Sequence, residues 1–222
     1  MTGRVTGEPP KTDGPGERAD RSPASEAASA PRPRLLAIRH GETSWSRDRR
    51  HTGRTDLPLL AEGEAQAAAL AGRLADQPLA AVLCSPRQRA RRTAELAGLA
   101  GGESAPPMVV DPDLAEWDYG AYEGRTTASI RRERPGWDLF ADGVPEGETI
   151  DEVAARADRV VARVLAAGGD VACVAHAHVL RVLAARWLGL EPSAARWFVL
   201  GPGSLSILGW EREHRVIEHW NT

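Results

Sequence analysis

The sequence predicts an α/β domain, a three-layer α-β-α sandwich whose central sheet is mostly parallel. Three observations carry this. Short, unbroken apolar runs end abruptly in polar or turn residues, as strands buried on both faces do. Stretches with helical periodicity lie between them. The alternation of the two is the pattern of strands joined by covering helices.

The elements follow in order. Leu35-Leu36-Ala37-Ile38 is the first buried strand, and a loop rich in Arg, Gly, Thr and Pro runs from His40 to about Leu60. Ala61–Asp76 is Ala-rich, with Leu70 and Leu74 at helical spacing. Ala80–Cys84 is a second strand, a helix follows near Arg87–Leu99, and Met108-Val109-Val110 is a third strand. Thr149-Ile150-Asp151-Glu152 is a capping box. Behind it Val153, Ala157, Val160, Val161, Val164 and Leu165 trace one helical face, which Gly168-Gly169 stops. Val171–Ala175 is a further buried strand and His178–Leu188 a helix. Phe198-Val199-Leu200 through Trp220 reads as short strands joined by Gly-Pro-Gly and charged turns.

Residues 1–33 stand apart. They are rich in Pro, Gly, Ser and mixed charge with almost no large apolar residue, so they are expected to form a disordered tail. The catalytic domain is expected over residues 34–222, with no second domain and no internal repeat.

Composition narrows the function. A net charge of -3 gives no global reason to expect nucleic acid or an anionic membrane as a partner. No apolar run has the length of a membrane span or of a signal peptide, so the expected compartment is the cytoplasm. Cys84 and Cys173, the two cysteines, sit in strand-like runs and read as small core residues. A cysteine-dependent phosphatase needs Cys-x5-Arg, but Ala90 and Val179 occupy the required positions. The phosphate-binding motif GxxxxGK[ST] of nucleotide enzymes is absent.

In an open α/β sheet, ligands bind beyond the carboxyl ends of the strands. Here those ends are followed by Arg39-His40-Gly41-Glu42-Thr43, Ser85-Pro86-Arg87-Gln88-Arg89, Leu114-Ala115-Glu116-Trp117 and His176-Ala177-His178. His40, His176, several Arg and Glu116 therefore converge from four segments. That set suits phosphoryl transfer. Guanidinium forks match phosphate oxygens, a neutral imidazole can attack phosphorus, and a carboxyl group can protonate the leaving oxygen. No cofactor is implied. His176-x-His178 has the look of a metal pair, but no further ligand set accompanies it and no metal site is assigned.

These blocks resemble the histidine phosphatase, or phosphoglycerate-mutase-like, superfamily. Arg39-His40-Gly41 resembles its RHG signature, and Thr52-Gly53-Arg54-Thr55-Asp56-Leu57-Pro58-Leu59 its TGxxDxPL loop, with Gly63 and Gln66 in the helix beyond. Ser85–Ala94 resembles SPxxRAxxTA, Leu114–Gly124 resembles LxExxxGxxEG, and Val174–Arg181 resembles VxHGxxxR. The matches come in family order across nearly all of residues 34–222. The resemblance implies that fold, with His40 as the phosphorylated nucleophile, Arg39, Arg89 and His176 holding phosphate, and Glu116 as the proton donor. Ser46, Thr52, Gly53 and Ala177 would line the substrate side. Two departures stand out: Ala177 replaces the usual Gly, and Leu60 replaces the Ser or Thr that would cap the first long helix.

His178 either reaches the pocket or begins the next helix. Arg87, Arg91 and Arg92 read as a solvated helix face. Arg131, Arg132 and Arg134 read as surface charge, with contact to a second substrate phosphate as the alternative. His51 has no role. The expected function is metal-independent hydrolysis of a small phosphorylated metabolite, a sugar phosphate. Mutase-type transfer, a protein phosphohistidine phosphatase and a silent anion-binding module are the alternatives. The shortness of Arg125–Glu148 favours a pocket open to water over one closed by a long lid. The sequence gives no oligomeric state.

Overall fold

The structure, a computed structural model, describes residues 32–101 and 105–222. Residues 1–31 of the expected tail lie outside the described residues. Arg32 and Pro33, which composition groups with that tail, already engage the folded body. The Arg32 guanidinium stacks 4.9 Å from the Trp210 ring centre, and the Trp210 indole N–H donates to the Pro33 carbonyl at 2.9 Å.

In chain order the elements are β1 (Leu35–Arg39), α1 (Ser44–Arg47), α2 (Ala61–Leu74), β2 (Leu79–Cys84), α3 (Gln88–Leu96) and β3 (Met108–Val110). There follow α4 (Thr127–Glu133), α5 (Leu139–Asp142), α6 (Ile150–Ala166), β4 (Asp170–Ala175), α7 (Ala177–Trp187), β5 (Leu205–Glu211) and β6 (His214–His219). The strands form one six-stranded sheet in the order β3-β2-β4-β1-β5-β6. The pairs β3–β2, β2–β4 and β4–β1 are parallel, and the β1–β5 and β5–β6 pairs are antiparallel.

Alternation along the central strands explains why both faces are covered. In β1, Leu35 and Ala37 enter one core while Leu36 and Ile38 enter the other. In β4, Val171, Cys173 and Ala175 face the first core, and Ala172 and Val174 the second. Successive strand side chains point to opposite faces, so a strand apolar at every position needs a partner layer on each side. One layer is α6 and α7, and the other is α2 and α3. Both cysteines are buried in this sheet, where burial raises the Cys84 thiol to about 12.

The capping box of α6 forms as predicted: Thr149 Oγ1 accepts from the Glu152 N–H, and the Glu152 carboxylate accepts from the Thr149 N–H. Val153, Ala157, Val160, Val161 and Val164 are buried, but Leu165 is 40% exposed and does not belong to that face. Phe198–Leu200 is not a strand; the first strand after α7 begins at Leu205. The loop after β1 holds the short helix α1, capped by Thr43.

Two glycines pin the loop after β1 to α2. A Cβ on Gly41 would lie 2.1 Å from the Gly63 carbonyl oxygen, and one on Gly63 would lie 2.2 Å from the Glu42 carbonyl oxygen. Backbone passes over backbone there with no room for a side chain. Gln66, one turn on, accepts from the Glu42 N–H at 2.9 Å. Gly63 and Gln66 thus hold the position of residue 40.

Candidate active site

Strand register brings the four predicted segments together. Arg39 pairs with Ala175 and Cys84 with Val174. The His40 N–H donates to the Ala175 carbonyl at 3.0 Å, and the Ser85 N–H to the Val174 carbonyl at 2.9 Å. His40, Ser85 and His176 therefore leave three adjacent strands at one level. The imidazoles of His40 and His176 meet edge to face with ring centres 5.1 Å apart.

His40 is nearly fully buried. Its Nδ1 lies 2.7 Å from the Gly41 carbonyl, which places the proton on Nδ1 and leaves the Nε2 lone pair free. Burial drives the pKa of His40 well below its ordinary value, and Arg89 and Arg39 push it further down. The imidazole is thus neutral, the form that can act as a nucleophile.

His176 is equally buried, and both its nitrogens are engaged. Nδ1 accepts from Arg89 Nε at 3.2 Å, so the proton sits on Nε2, which donates to Ser85 Oγ at 2.7 Å. Burial, then Arg89, lowers its pKa. Arg89 is wholly enclosed; its Nη1 donates to the Thr55 carbonyl at 2.9 Å and its Nη2 to the Thr52 carbonyl at 3.0 Å. Arg89 thereby ties the 52–55 loop to His176 and so to the imidazole pair. Arg39 faces the cavity. Its Nη1 donates to the Leu200 carbonyl, its buried Nε has no partner among the described residues, and burial lowers its pKa to about 10. An unpartnered buried donor beside a nucleophile marks where an anion binds.

Glu116 is held at the amino end of α7, whose own N-cap residue, His176, provides no side-chain cap. Glu116 Oε1 accepts from the Trp117 and Val179 N–H groups, both at 2.9 Å, and Oε2 accepts from the His178 N–H at 3.1 Å. Each carboxylate oxygen has two lone pairs. Oε1 is filled, and Oε2 keeps one for a proton. The loop carrying Glu116 is clamped by Arg156 of α6, which donates to the Asp113 and Ala115 carbonyls at 2.6 and 2.9 Å and pairs with Glu148 at 2.8 Å.

A cavity of about 550 Å³ opens beside His40. Arg39, His40, Glu116, Ser46, Thr52 and Ala177 line it. Gly53 does not; its N–H donates to Glu123 at 2.9 Å, and a Cβ there would meet the Trp117 carbonyl at 2.4 Å. Arg131 and Arg134 turn to Trp137 and Tyr122, and Arg132 is exposed outside the cavity. Arg92 pairs with Glu64 and Glu95 on the outer surface of α3. Among the described residues no cluster of three or more His, Cys, Asp or Glu side chains has metal-binding geometry.

Further lining residues include several to which the sequence assigned no role, and His178, which it left between the pocket and the next helix. His178 does reach the cavity, where its Nδ1 lies 2.5 Å from the Tyr119 hydroxyl. Burial raises the Tyr119 pKa and lowers that of His178, so the phenol donates. His51 packs 4.8 Å from Tyr119, with Thr127 Oγ1 3.4 Å from its Nε2. Arg49 holds φ at +58°, a left-handed conformation costing a residue with a side chain about 1–2 kcal/mol. The one available signal was the loop's density of His and Arg, and that does not say which side chains turn inward.

The buried imidazoles make stability depend on pH. Burial holds His40, His51 and His176 below their ordinary value, with His51 at about 4. In the unfolded chain each takes up a proton near pH 6.5. Below that pH the unfolded state binds more protons than the folded one, so stability is complete above about pH 6.5 and falls as the solution is acidified. Each imidazole adds a limiting slope of about 1.4 kcal/mol per pH unit, until its folded pKa is reached. The urea midpoint should fall from pH 7 to pH 5, and less steeply in His51→Phe. A midpoint constant over that range would contradict the neutral imidazoles.

The matching family model is the histidine phosphatase superfamily, branch 1, over residues 35–222. This chain belongs to the histidine phosphatase superfamily. Among curated relatives, an acid phosphatase of Mycobacterium tuberculosis is 43% identical over 83% of this chain and 90% of its own length. A sedoheptulose 1,7-bisphosphatase of Saccharomyces cerevisiae is 36% identical over 71% of this chain and 68% of its own length. The solved structure of a functionally characterised open reading frame from Mycobacterium tuberculosis superposes with a TM-score of 0.79 at 38% identity, covering 85% of this chain and 97% of that one. The expected fold and family are thus both found, and the histidine phosphatase described here is an enzyme of the phosphoric monoester hydrolase type. Among the described residues no helix is long and apolar enough to cross a membrane.

Proposed function

We propose that this histidine phosphatase hydrolyses a small phosphorylated metabolite of the sugar-phosphate class through a covalent phosphohistidine on His40, without a metal. The observation that carries the reading is the free Nε2 of a neutral His40, on the same cavity as the Arg39 guanidinium and the Glu116 carboxyl group.

In the first step the His40 Nε2 lone pair forms a bond to phosphorus as the ester P–O bond breaks. The proton on Glu116 Oε2 passes to the departing oxygen. Arg39 faces the negative charge on the phosphoryl oxygens. In the second step Glu116 takes a proton from water, the water oxygen bonds to phosphorus, the P–N bond breaks, and inorganic phosphate leaves.

The neutral hydrogen-bonding groups of Ser46, Thr52, Thr127, Tyr119 and His178 suit a hydroxylated substrate. The relative named for a sugar bisphosphate agrees with that choice. Hydrolysis is favoured because segment 125–148 is short and its Ile130, Trp137 and Phe140 pack into the core, which leaves little chain to form a long cover. Phosphate release should be measured across sugar phosphates, phosphoglycerates, nucleotides and a phosphohistidine peptide. The highest kcat/KM should fall on a sugar phosphate, with an acid-labile, alkali-stable phosphoenzyme on quenching. Isomerisation of a phosphoglycerate without phosphate release would replace hydrolysis by mutase chemistry.

A further inference from the structure

The cavity has more positive charge than one phosphate uses. Four guanidinium groups line it, those of Arg39, Arg49, Arg50 and Arg181, against the single carboxylate of Glu116. Arg181 is engaged with the Ala195 and Arg196 carbonyls, at 3.0 and 3.2 Å, and stacks 4.6 Å from the Phe140 ring centre. Arg39 lies at the floor beside His40. Arg49 and Arg50 remain, side by side and exposed at the mouth. The Arg49 guanidinium makes no hydrogen bond or ion pair with any described residue, and that of Arg50 has only Asp48 at 3.6 Å.

The backbone holds this pair in place. Four non-glycine residues among those described have positive φ, and of these only Arg49 lines the cavity. A left-handed residue with a long side chain persists only where its surroundings impose it. Here they do: the Arg49 N–H donates to the Ser46 carbonyl, the Arg50 N–H donates to the Trp45 carbonyl, and Arg50 forms a β-bridge with Thr126. The loop is tied on both sides, and its two cations face solvent at the cavity rim.

We propose that Arg49 and Arg50 form a second anion subsite, so that the preferred substrate is a phosphate ester with another anionic group, phosphate or carboxylate, at its far end. The transferred phosphate lies at the floor against His40 and Arg39, and the second anion lies at the mouth. A cavity of about 550 Å³ has room for both and for a short hydroxylated chain between them. Paired guanidinium groups bind either anion through charge-assisted hydrogen bonds. This specificity rests on the phosphatase reading and adds to it.

The test compares esters that differ only in the second anion: fructose 1,6-bisphosphate against fructose 1-phosphate, and 3-phosphoglycerate against glycerol 3-phosphate. The wild-type enzyme should favour at least one doubly anionic member by about 10- to 100-fold in kcat/KM, mostly through KM. Whichever pair shows the preference identifies the anion. Added salt should erode it, because the rim is exposed. R49G/R50Q should collapse the ratio towards one; glycine suits the left-handed backbone at position 49, so folding is not put at risk. R212G, which removes a surface charge away from the cavity at another left-handed position, should keep the ratio. Equal kcat/KM within both pairs, or a preference that survives R49G/R50Q, overturns the subsite. If p-nitrophenyl phosphate is hydrolysed while the pairs are equal, only the subsite fails. If nothing is hydrolysed, the phosphatase reading fails first.

Discussion

Replacing His40 with alanine is expected to lower phosphate release from every ester to below about one part in 10⁴, the order of loss seen when a covalent nucleophile is removed. No neighbour can take its place. Both His176 nitrogens are engaged, by Arg89 and Ser85, and the Nδ1 of His178 faces Tyr119. Arg39 and Arg89 are cations and cannot attack phosphorus. The fold should survive, because among the described residues the only side-chain hydrogen bond of His40 is to its own neighbour, Gly41. His40→Ala should therefore unfold in urea close to wild type at pH 7 while forming no phosphoenzyme from labelled substrate. Turnover above a hundredth of wild type, or a phosphoenzyme labelled elsewhere, would remove the proposed mechanism.

Glu116→Gln is expected to show the second largest effect, and one that depends on the leaving group. A general acid contributes about 10²–10⁴-fold when the departing oxygen is a poor leaving group. Alkyl esters such as sugar phosphates should lose that factor in kcat, whereas an activated aryl phosphate, which needs little protonation, should lose much less. The substitution also has a structural cost. Glutamine can keep its oxygen on the Trp117 and Val179 N–H groups only by turning its NH2 towards the His178 N–H, where two donors face each other. An unsatisfied donor of this kind costs about 1–3 kcal/mol, so unfolding should be measured with the kinetics. Equal losses on both ester classes would mean that Glu116 acts on α7 alone.

The limits of sequence reading show in particular residues. The strands were legible because β1, β2 and β4 sit at the centre of the sheet, where burial on both faces demands an uninterrupted apolar run. Leu165 was misplaced because it lies about 100° around α6 from the fully buried Val164, at the edge of the apolar stripe. Phe198–Leu200 has strand-like composition, yet no strand offers it a ladder, and Val199 instead borders the cavity at 72% exposure. His51 and Tyr119 escaped because an isolated aromatic in a loop carries no periodicity to say which way it faces.

By itself the sequence determined the layered α/β class, the order of the strands along the chain, the family, and the four segments that must lie at the strand ends. These follow from local pattern, which is read at each position independently of distant ones. Tertiary structure alone decided how charges and protons are distributed among those segments. Neither Arg87 nor His176 caps its own helix. The amino end of α3 takes Asp56, which accepts from the Gln88 N–H at 3.0 Å, and the amino end of α7 takes Glu116. The same enclosure sets the tautomers of His40 and His176 and, among the described residues, leaves Arg49 without a side-chain partner at the rim. A hydrogen-bond partner and a desolvation energy are properties of the space around a residue, and that space is assembled from residues far apart in the chain.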